Sequence, residues 1–395
     1  MVSNLEVPWE LRKEALKHDM YLKPISKDTY ELFFGPQHMA TENFSIILKM
    51  DGSRVEKAIA NPGFLHRGFE KLAEQRPYFT NIALLLRICV PESDVPENIY
   101  SMAVDELVGW EVPERAVWIR TVVLEMARLA SWMFWIMGFA NEIGLYTAGS
   151  WAAAYRERFM RLFEELTGGR VYHIYTVPGG VRRDIPGERW LRQLGDTVEY
   201  IESKLKDFDE ILFDNYITFA RTEGVGVMDR KFALDHAVTG PNLRAVGVPY
   251  DVRKDDPYYL YPELDFEVPI LNEGDSLARV LVRRYEMEQD LYILEQLLEM
   301  GPPGGPYMVQ DKRLKSLPRF KVPAGSAWAH VESTKGDFGA YVVSDGTHKP
   351  YRVHIRGPSQ SHGITVLEEL LRGARLADVP VILKTLDNCP PDIDR

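Results

Sequence analysis

The two cysteines of the chain each begin the same short pattern, a thiol followed three residues later by a carboxylate. Cys89 precedes Glu92 in the first quarter of the chain, and Cys389 precedes Asp392 near its end. Thiolates and carboxylates both ligate metals, and a thiolate is also the most redox-active nucleophile among side chains. If the fold brings the two patterns together, they indicate either a metal site or thiol–disulfide chemistry.

The composition of the chain limits the class of protein to which it can belong. Its 395 residues, 45% of them hydrophobic, are enough to bury a large core in one large domain or two joined ones. A net charge of −11 argues against nucleic-acid binding and against a polybasic membrane anchor. Because so long a chain has only two cysteines, we expect a reducing compartment rather than a disulfide scaffold.

The chain has no segment that predicts secretion or membrane insertion. Its first residues, Met1 to Lys13, are charged and lack an apolar core, so we expect no signal peptide. The longest apolar run, Leu129 to Ala140, is too short to span a bilayer and follows charged residues on the same predicted helix. We therefore expect a buried bundle helix in a protein that is cytosolic by itself but able to dock on a membrane partner.

Helix and strand patterns predict an α+β fold, mainly a helical bundle with small antiparallel β-sheets at its edges. Alternating apolar residues from Phe44 to Met50, followed by Asp51-Gly52-Ser53, indicate a β-hairpin. A long helix is predicted from Pro113 to about Gly144, and another from Ser276 to Met300. We expect one integrated domain with these parts: a β-rich part (1–62), a helical bundle (63–395), an irregular excursion (239–275), a hairpin (338–356) and a C-terminal active-site tail.

The cofactor-binding motifs that are missing are equally informative. The chain has no Gly-x-Gly-x-x-Gly after a predicted strand and no Gly-Lys-Ser/Thr loop, which argues against a nucleotide site. An iron–sulfur cluster needs about four thiolates, and this chain has two cysteines. If the protein performs electron chemistry, we expect another subunit to hold the carrier.

Several stretches in a fixed order, spanning almost the whole chain, resemble one protein family. This family is the large catalytic subunit shared by nickel–iron hydrogenases and the 49-kDa-type subunit of respiratory complex I. The resemblance implies a fold like that of the hydrogenase large subunit. The stretches are Gly35-Pro36-Gln37-His38, Gly63 to Lys71, Pro178-Gly179-Gly180-Val181, Arg356-Gly357-Pro358-Ser359 and Asp387 to Arg395.

The cysteines relate the chain to one branch of this family. In the hydrogenases, two Cys-x-x-Cys pairs hold the nickel–iron centre, and Cys89 and Cys389 match the first cysteine of each pair. Glu92 and Asp392 stand where the second, metal-bridging cysteines would be, so the resemblance implies no nickel–iron centre. One retained cysteine per pair looks most like the membrane-bound sulfane sulfur (polysulfide) reductases of anaerobic archaea.

The same resemblance assigns roles to other residues. His38 matches a histidine that binds a quinone head group in complex I, whereas Val90 occupies the place of the quinone-binding tyrosine. Arg67 matches an arginine beside the proximal iron–sulfur cluster of a partner subunit, and His66, next to it, is either a core histidine or a ligand. Arg356 is implied to lie over the reactive centre.

These assignments imply a mechanism of sulfur reduction. Cys89 and Cys389 would form a redox pair that attacks and resolves a sulfane sulfur chain, with Arg356 favouring one thiolate. Glu92 or Asp392 would protonate the departing sulfide. Electrons would come from a 4Fe–4S cluster in a small partner subunit, this chain itself binding neither a cofactor nor a metal.

The implied partners define a respiratory assembly. They are the small iron–sulfur subunit, ferredoxin-like cluster subunits and membrane subunits that translocate protons or sodium ions, with this chain at the cytoplasmic face of the membrane. Three alternatives remain open: a complex I-like NAD(P)H/quinone-type dehydrogenase subunit, a hydrogenase-like zinc or iron centre, and a non-catalytic scaffold. Taken alone, a free cysteine is more often a small buried hydrophobic residue.

Overall fold

The computed structural model describes residues 20–26 and 28–395, so the N-terminal segment for which we expect no signal peptide lies outside the described residues. The N-terminal strands form one antiparallel sheet in the order β1-β2-β3-β4. Within β3, Ile46, Leu48 and Met50 are fully buried, and Gly52 forms the following turn with φ of 53°. The predicted β-hairpin is confirmed. The strands are β1 (Met20–Pro24), β2 (Thr29–Phe34), β3 (Ser45–Asp51) and β4 (Arg54–Asn61).

The bundle is built from one long central helix and the helices around it. The central helix, α2, packs against α3, α5 and α6. By length and composition, this helix contains an apolar window long enough to cross a membrane, and the window is longer than the apolar run noted in the sequence. However, 83% of the window is buried inside the protein. The helices are α1 (Asp94–Val108), α2 (Glu114–Glu142), α3 (Tyr146–Thr167), α4 (Glu188–Phe208), α5 (Ser276–Met300) and α6 (Val379–Leu386).

The segment that joins β4 to the helical bundle is mostly irregular. The stretch from Gly63 to Arg76 contains only a short helix, Phe69–Ala73, because Gly63 and Gly68 have φ of 115° and 65°. The segment before this helix is therefore a loop. This loop contacts the C-terminal end of the chain, as described below.

Two further antiparallel sheets complete the fold. β5 (Thr176–Val177) pairs with β6 (Gly180–Val181). The other sheet has the order β7-β8-β9, with β7 (Gly325–Ser333), β8 (Gly336–Ser344) and β9 (Arg352–Arg356). The sequence predicted β8 and β9 but missed β7, whose inward-facing Ala327 and Ala329 are weak strand formers. The mainly helical α+β architecture is confirmed.

The excursion between residues 239 and 275 contains short helices that fasten the end of β7. Arg244 and Arg253, from two of these helices, are fully buried. Arg244 forms a 2.8 Å ion pair with Glu332 of β7, and Arg253 forms one of 2.9 Å with Asp290 of α5. Because Glu332 lies just before the turn that joins β7 to β8, these contacts fix the position of that turn.

Candidate active site

The two cysteines meet in the interior of the protein. Cys89 follows a short 3-10 turn ahead of α1, and Cys389 follows the end of α6. Both are buried free thiols. The Cys389 thiol lies 3.9 Å from the carbonyl oxygen of Ile88, to which it donates a hydrogen bond. The fold thus joins the two patterns that the sequence singled out.

The environment of Cys89 favours the protonated form of its thiol. A hydrogen bond with Cys389 and burial raise the pKa of Cys89 well above its ordinary value. The charge of Glu92 raises this pKa further, whereas the ammonium of Lys335 lowers it. The ionisation of Cys89 therefore depends on a cation that the sequence analysis did not identify.

Lys335 is the site residue that sequence reasoning missed. It lies in the turn between β7 and β8 and is 2% exposed. Its Nζ is 3.2 Å from Asp387 Oδ2, two residues before Cys389, and 3.4 Å from the hydroxyl of Thr334. Burial lowers the pKa of Lys335, but Asp387 and the other acidic groups of the pocket outweigh burial and raise it overall, so the side chain is an ammonium.

Glu92 is held on the other side of this turn. Its carboxylate accepts hydrogen bonds from the backbone N–H of Thr334, at 3.1 and 3.2 Å, and from the Thr334 hydroxyl. Burial raises the pKa of Glu92, although Lys335 and Arg128 oppose this effect. The turn that carries Lys335 therefore also orients the carboxyl group three residues after Cys89.

Asp392 is the second buried carboxyl group of the site. The Ser359 hydroxyl donates to its Oδ2 at 2.7 Å and accepts from the backbone N–H of Cys389 at 2.9 Å. Its Oδ1 has no hydrogen-bond partner among the described residues. Burial raises the pKa of Asp392 to about 7, so this carboxyl group can hold or release a proton near neutral pH.

The motif Arg356-Gly357-Pro358-Ser359 packs against the side chain of Asp392. A Cβ atom at Gly357 would lie 2.7 Å from the Asp392 carboxyl carbon, so only glycine leaves room for that side chain. Arg356, at the end of β9, donates to the carbonyl oxygens of Asp337 and Ala237. Its hydrogen bonds are thus with the neighbouring strand and loop, whereas Lys335 is the cation that lowers the pKa of Cys89. A role of Arg356 over the reactive centre stays a prediction.

His66 lies in the loop that fastens the C-terminal end. The Asp394 carboxylate accepts the backbone N–H groups of Gly63 and Leu65 at 2.7 and 2.8 Å. The His66 Nδ1 lies 2.6 Å from the Asp394 carbonyl oxygen. These contacts hold the segment that carries Cys389 against the rest of the protein.

A cationic surface lies directly outside the thiol pocket. Arg67 is exposed and donates to the carbonyl oxygen of Arg87 at 3.2 Å. The Arg87 guanidinium lies 5.0 Å from the centre of the Tyr172 ring. Burial raises the pKa of Tyr172, the two arginines lower it and the two cysteines raise it, so the tyrosine senses charges of both the arginines and the thiols. Val90, beside Cys89, is 39% exposed.

His38 belongs to a different cluster of polar groups. Its Nδ1 accepts from the backbone N–H of Ala40 at 3.2 Å. Burial raises the pKa of the nearby Glu142, an effect that the ammonium of Lys384 opposes. Lys384 of α6 also forms an ion pair with Glu42. The described hydrogen bonds of His38 lie within its own loop, and none of them reaches the thiols.

The thiols and carboxyl groups of the pocket do not by themselves make a metal site. Within the described parts of the chain, no group of three or more His, Cys, Asp or Glu side chains has the geometry to hold a metal ion. The expectation that this chain binds no nickel–iron centre stays a prediction, for which elemental analysis is the test.

The chain is similar in sequence to proteins of known families. Residues 142–395 match the family described as "Respiratory-chain NADH dehydrogenase, 49 Kd subunit". The chain is 47% identical to a subunit of the NADH-quinone oxidoreductase of Thermosipho melanesiensis, covering 92% of this chain and 99% of that protein. It is 36% identical to a subunit of the F(420)H(2) dehydrogenase of Methanosarcina mazei, covering 91% of this chain and 96% of that protein.

A solved structure is more similar still. It is described as the membrane-bound sulfane sulfur reductase, an archaeal respiratory membrane complex. One of its chains is 80% identical to this chain with a TM-score of 0.92, covering 94% of this chain and all of that one.

Proposed function

Because the chain belongs to the family of the respiratory-chain NADH dehydrogenase 49 Kd subunit, we propose that it is the catalytic subunit of a membrane-bound oxidoreductase that reduces sulfane sulfur. The observation that carries this proposal is the pair of buried free thiols, Cys89 and Cys389, beside the ammonium of Lys335. The 80% identity to a chain of a sulfane sulfur reductase supports the same conclusion.

The first step is attack by one thiolate. The Lys335 ammonium stabilises the anionic form of Cys89 and attracts an anionic polysulfide to the pocket. The Cys89 sulfur bonds to one sulfur of the chain, and the adjacent sulfur–sulfur bond breaks. The departing hydrosulfide or shortened polysulfide carries the electron pair of that bond. Glu92 or Asp392 donates the proton that it takes up.

The second step resolves the bound persulfide. Cys389 loses its proton to a pocket carboxylate and attacks the Cys89 sulfur. A Cys89–Cys389 disulfide forms and hydrosulfide leaves. Two electrons and two protons then restore the two thiols. The reaction is balanced when the electrons come, one at a time, from an iron–sulfur protein.

The source of these electrons is a partner subunit. A 4Fe–4S cluster supplies single electrons when such a subunit is bound, and this chain's two cysteines are too few to hold one. We propose that the small iron–sulfur subunit docks on the surface around Arg67 and Arg87. Further ferredoxin-like subunits, and membrane subunits that translocate protons or sodium ions, would complete the assembly at the cytoplasmic face of the membrane.

Substitution of the cysteines tests the proposal. Cys89→Ser, Cys389→Ser and the double variant should each abolish sulfur reduction to a similar degree, because both thiols act in one cycle. Ser93→Ala is the matched control, since it changes a buried hydroxyl near the same segment without removing a thiol. Full turnover in the double variant would exclude the dithiol mechanism.

Elemental analysis distinguishes the proposed dithiol site from a hydrogenase-like metal centre. The purified complex should contain iron and sulfide from its partner subunits but no stoichiometric nickel, since Glu92 and Asp392 replace the bridging cysteines. Roughly one nickel per copy of this chain would favour the hydrogenase-like centre instead. A single-cysteine variant that accumulates a persulfide, detected by mass spectrometry, would support the sulfur substrate directly.

A further inference from the structure

Residues 312–321 form a positively charged segment at the surface of this acidic protein. Within residues 312–321, five of ten side chains are cationic and none is acidic, although the whole chain has a net charge of −11. The average charge of the sequence conceals this basic segment. The five cations are Lys312, Arg313, Lys315, Arg319 and Lys321, and all five are exposed.

The basic segment is held on a rigid support. Phe320 is buried, with its ring 5.2 Å from that of Trp110 and 5.5 Å from that of Phe79. Asp311, at the start of the segment, accepts a hydrogen bond from the Trp110 indole at 2.9 Å. The cations are therefore displayed from a fixed position, as an interaction surface requires.

Most of these cations have no acidic partner in the part of the chain that the structure describes. Arg313 pairs with Asp311. Among the residues that the structure describes, the other four, Lys312, Lys315, Arg319 and Lys321, form no ion pair. Four exposed like charges without a described partner repel one another, so a complementary anionic surface would relieve that repulsion.

The position of the segment separates it from the site of chemistry. Asp311 contacts Trp110, beyond the C-terminal end of α1, whereas Cys89 and Glu92 lie ahead of its N-terminal end. The fifteen residues of α1 span about 20 Å at 1.5 Å per residue. A partner bound to the basic segment would therefore contribute to assembly rather than contact the thiols.

We propose that residues 312–321 are a docking site for an acidic polypeptide surface of another subunit of the complex. A lipid surface fits less well, because a membrane-binding segment needs a broad apolar face. Here Leu317 is the one large apolar side chain that is well exposed, at 40%, while Leu314 and Phe320 pack inward.

Zero-length cross-linking of the intact complex tests this proposal. A carbodiimide joins a lysine amine directly to a carboxylate with which it is in contact. We expect Lys315 or Lys321 to cross-link to Asp or Glu residues of another subunit. Lys231 is the internal control, because its exposed ammonium pairs with Asp235 of its own chain. Cross-links from the basic segment to this chain alone would overturn the proposal.

Charge reversal supplies an independent test. Lys315→Glu combined with Lys321→Glu should weaken retention of this chain in the complex about tenfold at low salt, and less at high salt, because salt screens charge attraction. Lys231→Glu should leave retention unchanged, and turnover per assembled complex should be equal in all variants. Flotation of the isolated chain with phosphatidylglycerol vesicles, but not with phosphatidylcholine vesicles, would identify a lipid partner and refute ours.

Discussion

Replacing Lys335 by methionine tests whether this lysine controls the thiol. Methionine is unbranched and apolar, so it removes the charge and keeps most of the side-chain length. The ammonium lowers the pKa of Cys89, which hydrogen bonding and burial otherwise raise. Loss of the charge should therefore raise this pKa further and reduce the amount of thiolate at any given pH.

The size of the effect follows from Coulomb's law. Two unit charges about 5 Å apart, at an effective dielectric of about 20, interact by roughly 3 kcal/mol, which corresponds to about two pKa units. Below the thiol pKa the thiolate population should then fall about a hundredfold. Because only the thiolate reacts with iodoacetamide, the alkylation rate should fall by the same factor.

The assay is alkylation of the purified complex across a range of pH, followed by mass spectrometry of the peptide that contains Cys89. Lys335→Arg should preserve most of the thiolate, since it keeps the charge. Arg356→Met is the matched comparison, because Arg356 was the cation expected from the family resemblance. If Arg356→Met shifts the alkylation profile and Lys335→Met does not, then Arg356 and not Lys335 controls the ionisation of Cys89.

Stability must be monitored in the same variants. Removing Lys335 leaves the Asp387 carboxylate, which lies 3.2 Å from its ammonium, without that partner. Breaking a buried ion pair in this way costs about 3–5 kcal/mol. Alkylation should therefore be compared at a temperature at which circular dichroism shows that every variant is folded.

Four further predictions concern the same pocket. Burial raises the pKa of Asp392 to about 7, so the folded state holds a proton that the unfolded state releases near pH 4. The stability of the wild-type protein should therefore fall as pH rises from about 4 to 7. Thermal unfolding of Asp392→Asn should show no such slope, and this variant should be more stable than the wild type at pH 8. Gly357→Ala should abolish turnover, because its Cβ would lie 2.7 Å from the Asp392 carboxyl group, whereas Gly304→Ala, with open space around it, should not affect turnover. Asp394→Ala leaves the backbone N–H groups of Gly63 and Leu65 without their acceptor and should lower the free energy of unfolding by about 2–4 kcal/mol. Asp235→Ala, at an exposed position, is the control. An unchanged melting temperature of Asp394→Ala would contradict this role of Asp394. The midpoint potential of the Cys89–Cys389 disulfide, measured by redox titration with thiol labelling, should fall by about 59 mV per pH unit if two protons accompany two electrons, and a slope near zero would show that both thiols ionise.

The sequence predicted the meeting of the cysteines because the family motifs preserve their order along the chain. It also predicted the first hairpin, where alternating Ile46, Leu48 and Met50 lead into a Gly52 turn. These features are local or are carried by a motif. A local pattern survives folding because its own residues provide most of the contacts that stabilise it.

Lys335 could not be found in the same way. Its burial depends on Asp387 from the end of α6 and on the turn between β7 and β8, two segments that meet only in the folded protein. The one available signal was Lys335-Gly336 after an alternating segment, which predicts a turn and hence an exposed lysine. Likewise, the net charge of −11 argued against a polybasic membrane anchor and gave no sign of the basic segment, because an average cannot reveal that five cations lie within ten residues.

In the proposed dithiol mechanism, the charges of the pocket link electron transfer to proton uptake. Reduction of a disulfide creates two thiolates, but the buried cation nearest to them, Lys335, already pairs with Asp387. Glu92 and Asp392 add two more acidic groups, each with a raised pKa because of burial. Four acidic side chains beside one shared ammonium cannot all be ionised in so dry a site, so each electron that arrives draws a proton with it. In this proposal, Glu92 and Asp392 stand where the hydrogenases have metal-bridging cysteines, and they supply the dithiol site with exchangeable protons in place of a metal.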